Sequence, residues 1–220
     1  MPRPDPVRVT FATRRPAAGK PPPAQPRRPE DQIVWRRSRA LGVPHAGRLV
    51  NGVLLPREGR RFFTWDPVRW TSPNRESRRS GTDRLVRTIL AVLARYAVAN
   101  PTAPRVAIGD LSRPGGGSFD ARYGIVREFG RGRGTLGHVS HQNGLDADVY
   151  YPRLDRRERA PDSPGDVDLR LAQELVDGFV AAGAHFVFVG PGTGLRGPPA
   201  VVQALARHDD HLHVRITAAR

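Results

Sequence analysis

The chain has 220 residues, 23 glycines, 22 prolines, no cysteine and a formal net charge of +15, which fits one domain with a sizeable core plus a tail. Without cysteine there are no disulfides, no thiolate zinc fingers and no thiol nucleophile, and no stretch approaches the roughly 18–20 apolar residues that span a bilayer. Lys20 is the only lysine among 36 basic residues, and the ten basic residues of 1–40 face only Asp5, Glu30 and Asp31, so the charge reads as arginine bias and a basic arm, with weak attraction to any polyanion rather than a nucleic-acid site.

Residues 1–32 are rich in Pro, Arg and Ala, include Pro21-Pro22-Pro23, and show almost no apolar periodicity. They are expected to form a disordered arm, leaving 33–220 as the folded domain. Met1-Pro2-Arg3-Pro4-Asp5 leads into no continuous apolar run, so no secretory signal is read there. Leu49 to Leu55 reads as a short strand or turn broken at Asn51-Gly52. Phe62, Phe63, Trp65 and Trp70 are core or groove walls, and sequence does not choose between the two.

Residues 82–98 predict a helix capped by Thr82 or Asp83, with Leu85, Ile89, Val92, Leu93 and Tyr96 on one stripe and Pro101 and Pro104 beyond it. Arg105 to Asp110 reads as a buried strand. The Pro114-Gly115-Gly116-Gly117 loop after it lacks the residues of a phosphate cradle, and reads as backbone passing close to a cleft. A second helix is expected over 167–182, capped by Asp166, with Gly183 ending it. A strand over 185–189, a loop over 191–199 and a short helix over 200–206 follow. Strands alternate with isolated helices without a regular βαβ rhythm. The fold class is therefore α+β, with a mainly antiparallel central sheet flanked by helices.

Five of the seven histidines fall in two clusters: Gly137-His138-Val139-Ser140-His141-Gln142-Asn143-Gly144-Leu145-Asp146-Ala147-Asp148, and His208-Asp209-Asp210-His211-Leu212-His213-Val214-Arg215-Ile216. If 211–216 is a strand, His211, His213 and Arg215 share one face and Leu212, Val214 and Ile216 the other. A helix would set residues 211 and 213 about 200° apart. If 145–150 is a strand, Asp146, Asp148 and Tyr150 face away from Leu145, Ala147 and Val149. Gly144 supplies a turn after His141. Pairing the two strands brings His141, Asp148 and His213 together on the sheet face. Imidazole and carboxylate without thiolate suit Zn²⁺, and three such ligands leave a fourth position for water. Asp146 is the alternative ligand should the register differ. His45 and His185 lie outside the clusters and read as ordinary surface or core histidines.

At these two segments, and at Ile108-Gly109-Asp110, the chain resembles the penicillin-insensitive murein endopeptidases, within the wider group of zinc peptidases that includes lysostaphin, the D-Ala-D-Ala peptidases and the hedgehog zinc site. The resemblance extends weakly upstream to about Ser38. It implies that His141, Asp148 and His213 ligate zinc, that His211 stands beside the metal without binding it, and that His138 and His208 are further active-site histidines. It also implies peptidoglycan peptide cross-links as substrate and a periplasmic or cell-wall setting. Some relatives use glutamate as general base. No Glu lies near the second cluster in sequence, so a histidine is expected to do that work.

The reaction expected is metal-assisted peptide hydrolysis, with His208 moving the proton, His211 stabilising the oxyanion and His138 orienting the site. Arg215 is either solvated or paired with a substrate carboxylate, and Asp209 and Asp210 are loop charges or partners of the histidines. The segment from Ser118 to Gly134 is longer than the family pattern and reshapes the cleft. Two other readings share the same zinc centre: a carboxypeptidase or dipeptidase trimming stem peptides, and a non-catalytic wall-binding module.

Overall fold

A computed structural model describes residues 29–136 and 138–218. Most of the arm predicted over 1–32 therefore lies outside the described residues. Its last four residues, Pro29–Gln32, form one 3-10 turn, and the Glu30 carboxylate accepts the Arg60 backbone N–H at 2.9 and 3.0 Å.

In chain order the elements are β1 (Arg39–Val43), β2 (Ala46–Val50), β3 (Val53–Leu54), β4 (Phe62–Thr64), β5 (Ser80–Gly81), α1 (Asp83–Ala99), β6 (Val106–Ile108), β7 (Ile125–Glu128), β8 (Arg131–Leu136), β9 (Asp146–Tyr150), α2 (Leu169–Ala181), β10 (Phe186–Val189), β11 (Val202–Ala204) and β12 (His211–Arg215). Helix α1 forms where its stripe predicts. The Thr82 hydroxyl accepts the Leu85 N–H at 3.1 Å, and Leu85, Val86, Ile89, Val92, Leu93 and Tyr96 are buried. Helix α2 begins two residues later than expected, because Asp168 caps it by accepting from Leu171 N. The predicted cap, Asp166, is instead taken by Ser163, the Asp162 N–H and Arg153.

The six-stranded sheet has the order β11-β10-β12-β9-β6-β4. Its inner pairs, β10·β12, β12·β9 and β9·β6, are antiparallel, while the edge pairs β10·β11 and β4·β6 are parallel. The sheet is thus mixed, with three antiparallel pairs inside two parallel edge pairs. The second departure is β11, where a short helix was expected. Val201 and Val202 form too short an apolar run to nucleate a helix, and Val202 to Ala204 pair instead along Val187 to Val189.

The helices do not flank the sheet. Both lie on one face, where α1 and α2 share a single core with Val106, Ile108, Ala147, Val149, Val187, Val189, Leu212 and Val214. The opposite face carries a smaller apolar cluster of Phe63, Trp65, Ala107, Tyr150 and Ala160, with Trp70 half-buried against it. Of the aromatic residues left open by sequence, only Phe62 joins the main core. Strand alternation accounts for the division: even-numbered residues of β9 and odd-numbered residues of β12 point away from the helices.

Candidate metal centre

Strands β9 and β12 pair in the register His211↔Tyr150, His213↔Asp148 and Arg215↔Asp146. The side chains of Asp146, Asp148, His211 and His213 are all buried on the face opposite the helices. The loop before β9 brings His141 to the same place. Its backbone has φ +64°, a left-handed conformation uncommon outside glycine and often found at functional sites. Gly144 follows at φ +77°, and a Cβ there would stand 2.7 Å from Leu49 and 3.1 Å from the Thr82 nitrogen. The Gly-rich loop passes close behind, as expected: the Gly117 N–H donates to the Gln142 carbonyl at 2.8 Å.

Hydrogen bonding fixes which atom each side chain turns inward. His141 Nδ1 lies 2.8 Å from the Leu111 carbonyl, which only accepts, so Nδ1 carries the proton and Nε2 presents a lone pair. His213 Nε2 is 2.8 Å from Asp146 Oδ1, which leaves His213 Nδ1 facing inward. His141 Nε2 and His213 Nδ1 are 3.3 Å apart. Asp148 Oδ1 lies 3.3 Å from the first and 3.4 Å from the second. That oxygen is buried and receives no hydrogen bond. Ligand atoms at about 2.0–2.1 Å from a tetrahedral zinc ion stand about 3.3–3.4 Å from one another. Separations and donor types therefore both suit a divalent cation. Burial lowers His213, but the Asp146 and Asp148 carboxylates outweigh it and raise the imidazole to about 9. A proton and a metal compete for the same spot.

His138 also reaches this cluster. His138, His141 and Asp148 each offer a ligand atom within 4.8 Å of the others. His138 Nε2 is 2.7 Å from Asp110 Oδ2 and 3.4 Å from Asp148 Oδ2, and its ring lies against His141, tilted by 35° with 4.1 Å between centroids.

The sequence profile of the penicillin-insensitive murein endopeptidases matches residues 40–168. The chain belongs to this family. No curated protein matches the chain. The match stops short of the second histidine cluster, so the fold rather than the family alignment joins His208, His211 and His213 to the first cluster in this murein endopeptidase family member.

Behind the cluster lies a buried charge network that sequence reasoning missed. Asp110 accepts from Nε and Nη2 of the fully buried Arg78 guanidinium, whose Nη1 donates to the Tyr123 carbonyl, and also from Asn74 Nδ2 at 2.9 Å and from His138. Burial alone would raise the Asp110 carboxyl, yet Arg78 and His138 hold it far below the carboxylate range. Replacing Arg78 by Met strands that carboxylate, and we expect a loss of about 3–5 kcal/mol in folding stability, read by urea titration. Asp146, weighed in sequence as an alternative ligand, has its Oδ1 2.8 Å from His213 Nε2, on the side of that ring away from His141 and Asp148. Arg215 is not free for substrate through its Nε, which donates to Asp146 at 2.6 Å.

The two remaining histidines are shifted in opposite directions. His208 gives its Nδ1–H to the Ala206 carbonyl at 2.9 Å, and burial followed by the nearby His211 lowers it to about 3. His211 is buried, but Asp148 and Asp210 outweigh burial and raise it. The expectation that no glutamate stands near the second cluster is corrected by the fold: Glu128 accepts the Asp209 N–H at 3.1 Å, across 81 residues of sequence. No signal in the second cluster itself announces that contact. The segment 118–134, expected to reshape the cleft, contributes the β7–β8 hairpin that makes it.

Proposed function

We propose that this chain is a zinc-dependent endopeptidase that hydrolyses peptide cross-links of peptidoglycan, of the D-Ala to diaminopimelate type, in the periplasm or cell wall. The observation that carries the reading is the convergence of His141 Nε2, His213 Nδ1 and the undonated Asp148 Oδ1 at mutual separations of 3.3–3.4 Å, within a chain of the murein endopeptidase family. These three residues hold the metal. His138 stays outside the ligand set, because its Nε2 faces the ionised Asp110 and therefore carries a proton. From there it lies across Asp148 Oδ2 and leaves Oδ1 for the cation.

A Zn²⁺ ion in that place would lower the pKa of a water it holds toward about 7 and polarise the scissile carbonyl. The surrounding side chains do the rest. His208, kept neutral with Nε2 unprotonated, accepts the water's proton and later returns one to the leaving amine. Part of its low basicity comes from the charge on His211, so its affinity for a proton rises as His211 shares its own with the developing oxyanion. His211, kept charged between Asp148 and Asp210, donates to that oxyanion. No serine acylation occurs in this scheme, so β-lactams leave it untouched.

Digestion of purified cross-linked muropeptide dimers, followed by mass spectrometry, tests the proposal. Conversion of dimers to monomers that a chelator stops and zinc restores is the expected result. Intact dimers with release of free D-alanine would mean a carboxypeptidase instead, and no product from zinc-loaded protein would leave a binding module.

A further inference from the structure

Asp210 is fully buried, and both of its carboxylate oxygens are engaged. Oδ1 accepts the His211 Nδ1–H at 2.6 Å, and Oδ2 accepts the backbone N–H of Phe129, also at 2.6 Å. Among the described residues its ion-pair partner is His211. A buried carboxylate with no arginine or lysine beside it is costly to keep, and this one joins two parts of the chain that are 81 residues apart.

The other end of that link is the turn of the β7–β8 hairpin. Glu128 pairs with Arg131, leaving Phe129 and Gly130 as a two-residue turn with φ +48° and +68°, the type I′ pattern. Glycine or asparagine ordinarily fills its first position, and a phenylalanine there stores backbone strain. The turn is held on three sides. Phe129 N–H reaches Asp210, the Glu128 carboxylate receives Asp209 N–H, and Gly130 lies so close to Trp70 that a Cβ would stand 2.8 Å from the indole. Strand β8 then ends two residues before His138. One hairpin therefore delivers His138 to the site at its base and touches the partner of His211 at its tip.

We propose that Asp210 is a positioning residue for His211, and that the β7–β8 hairpin sets it, so that the orientation of His211 depends on the hairpin being docked. Asp210 holds the His211 Nδ1–H and turns Nε2 toward Asp148, 3.8 Å away. The consequence for turnover rests on the endopeptidase reading; the pairing of His211 with Asp210 does not.

The test uses zinc-loaded full-length protein at one fixed pH, with ¹⁵N-labelled histidines read by long-range ¹H–¹⁵N correlation spectra, alongside metal content and dimer cleavage. Asp210→Asn keeps the shape, but its amide must turn Nδ2 toward His211 to keep accepting from Phe129 N–H. The His211 Nδ1–H signal is expected to vanish, and kcat to fall about 10–100-fold with zinc content unchanged and KM within about threefold. Gly130→Ala, which moves the tip without touching Asp210, is expected to weaken the same signal and to lower kcat in the same sense. A wild-type His211 spectrum in Asp210→Asn, or loss of zinc from it, overturns the positioning role. An unchanged spectrum and rate in Gly130→Ala overturns the hairpin's part. If wild-type protein fails to cleave dimers while Asp210→Asn still loses the Nδ1–H signal, the endopeptidase reading falls and the pairing stands.

Discussion

His213→Ala is expected to empty the metal centre and lower the rate of dimer cleavage by at least about 10³-fold, whereas His138→Ala keeps one equivalent of zinc. Losing a single oxyanion donor already costs about 10²–10³ in rate, and loss of the metal removes both water activation and carbonyl polarisation. The contrast between the two variants follows from which nitrogen each histidine has free. His213 spends Nε2 on Asp146 and offers Nδ1 to the cluster. His138 spends Nε2, the atom nearest the cluster, on Asp110. Metal content by atomic absorption after dialysis, beside cleavage rates, checks both. Retention of zinc by His213→Ala together with its loss from His138→Ala would invert the ligand set.

The second large effect belongs to His211. His211→Ala is expected to keep its zinc and its fold, yet lose about 10²–10⁴ in kcat, the range of a positioned acid–base or oxyanion group. Its Nε2 is 3.8 Å from Asp148 Oδ1, too far to donate a hydrogen bond to that oxygen and close enough to serve a carbonyl held at the centre. Steady-state kinetics and metal analysis of the same preparation decide the point. A variant with wild-type kcat would remove His211 from the chemistry.

The parts of this site legible in sequence were those governed by local periodicity. Alternation in Asp146 to Tyr150 and in His211 to Arg215 placed the polar side chains on one face, and the observed register sets Asp148 against His213. The α1 stripe and its Thr82 cap were legible for the same reason. What escaped depends on long-range packing. Nothing near residue 202 distinguishes an edge strand from a helical turn until β10 is there to pair with it. That both helices cover the same face is decided by the order of strands, not by either helix. Glu128 and Phe129 meet Asp209 and Asp210 only because a hairpin bends back over the second cluster. Asp146 and Asp148 look alike in sequence, and only the pairing of the strands shows that one accepts from His213 Nε2 while Oδ1 of the other stands without a hydrogen bond between His141 and His213. Arg78 reads as one arginine among many until Asp110 is found buried against it.

The measurement that tests the central claim most directly is anomalous diffraction at the zinc edge from crystals of the zinc-loaded protein. The account predicts one strong peak at about 2.0–2.1 Å from His141 Nε2, His213 Nδ1 and an Asp148 carboxylate oxygen, with His138 still on Asp110 and His211 beside the ion but not on it. A peak bound by His138 in place of His213, or no peak at this cluster, would contradict it.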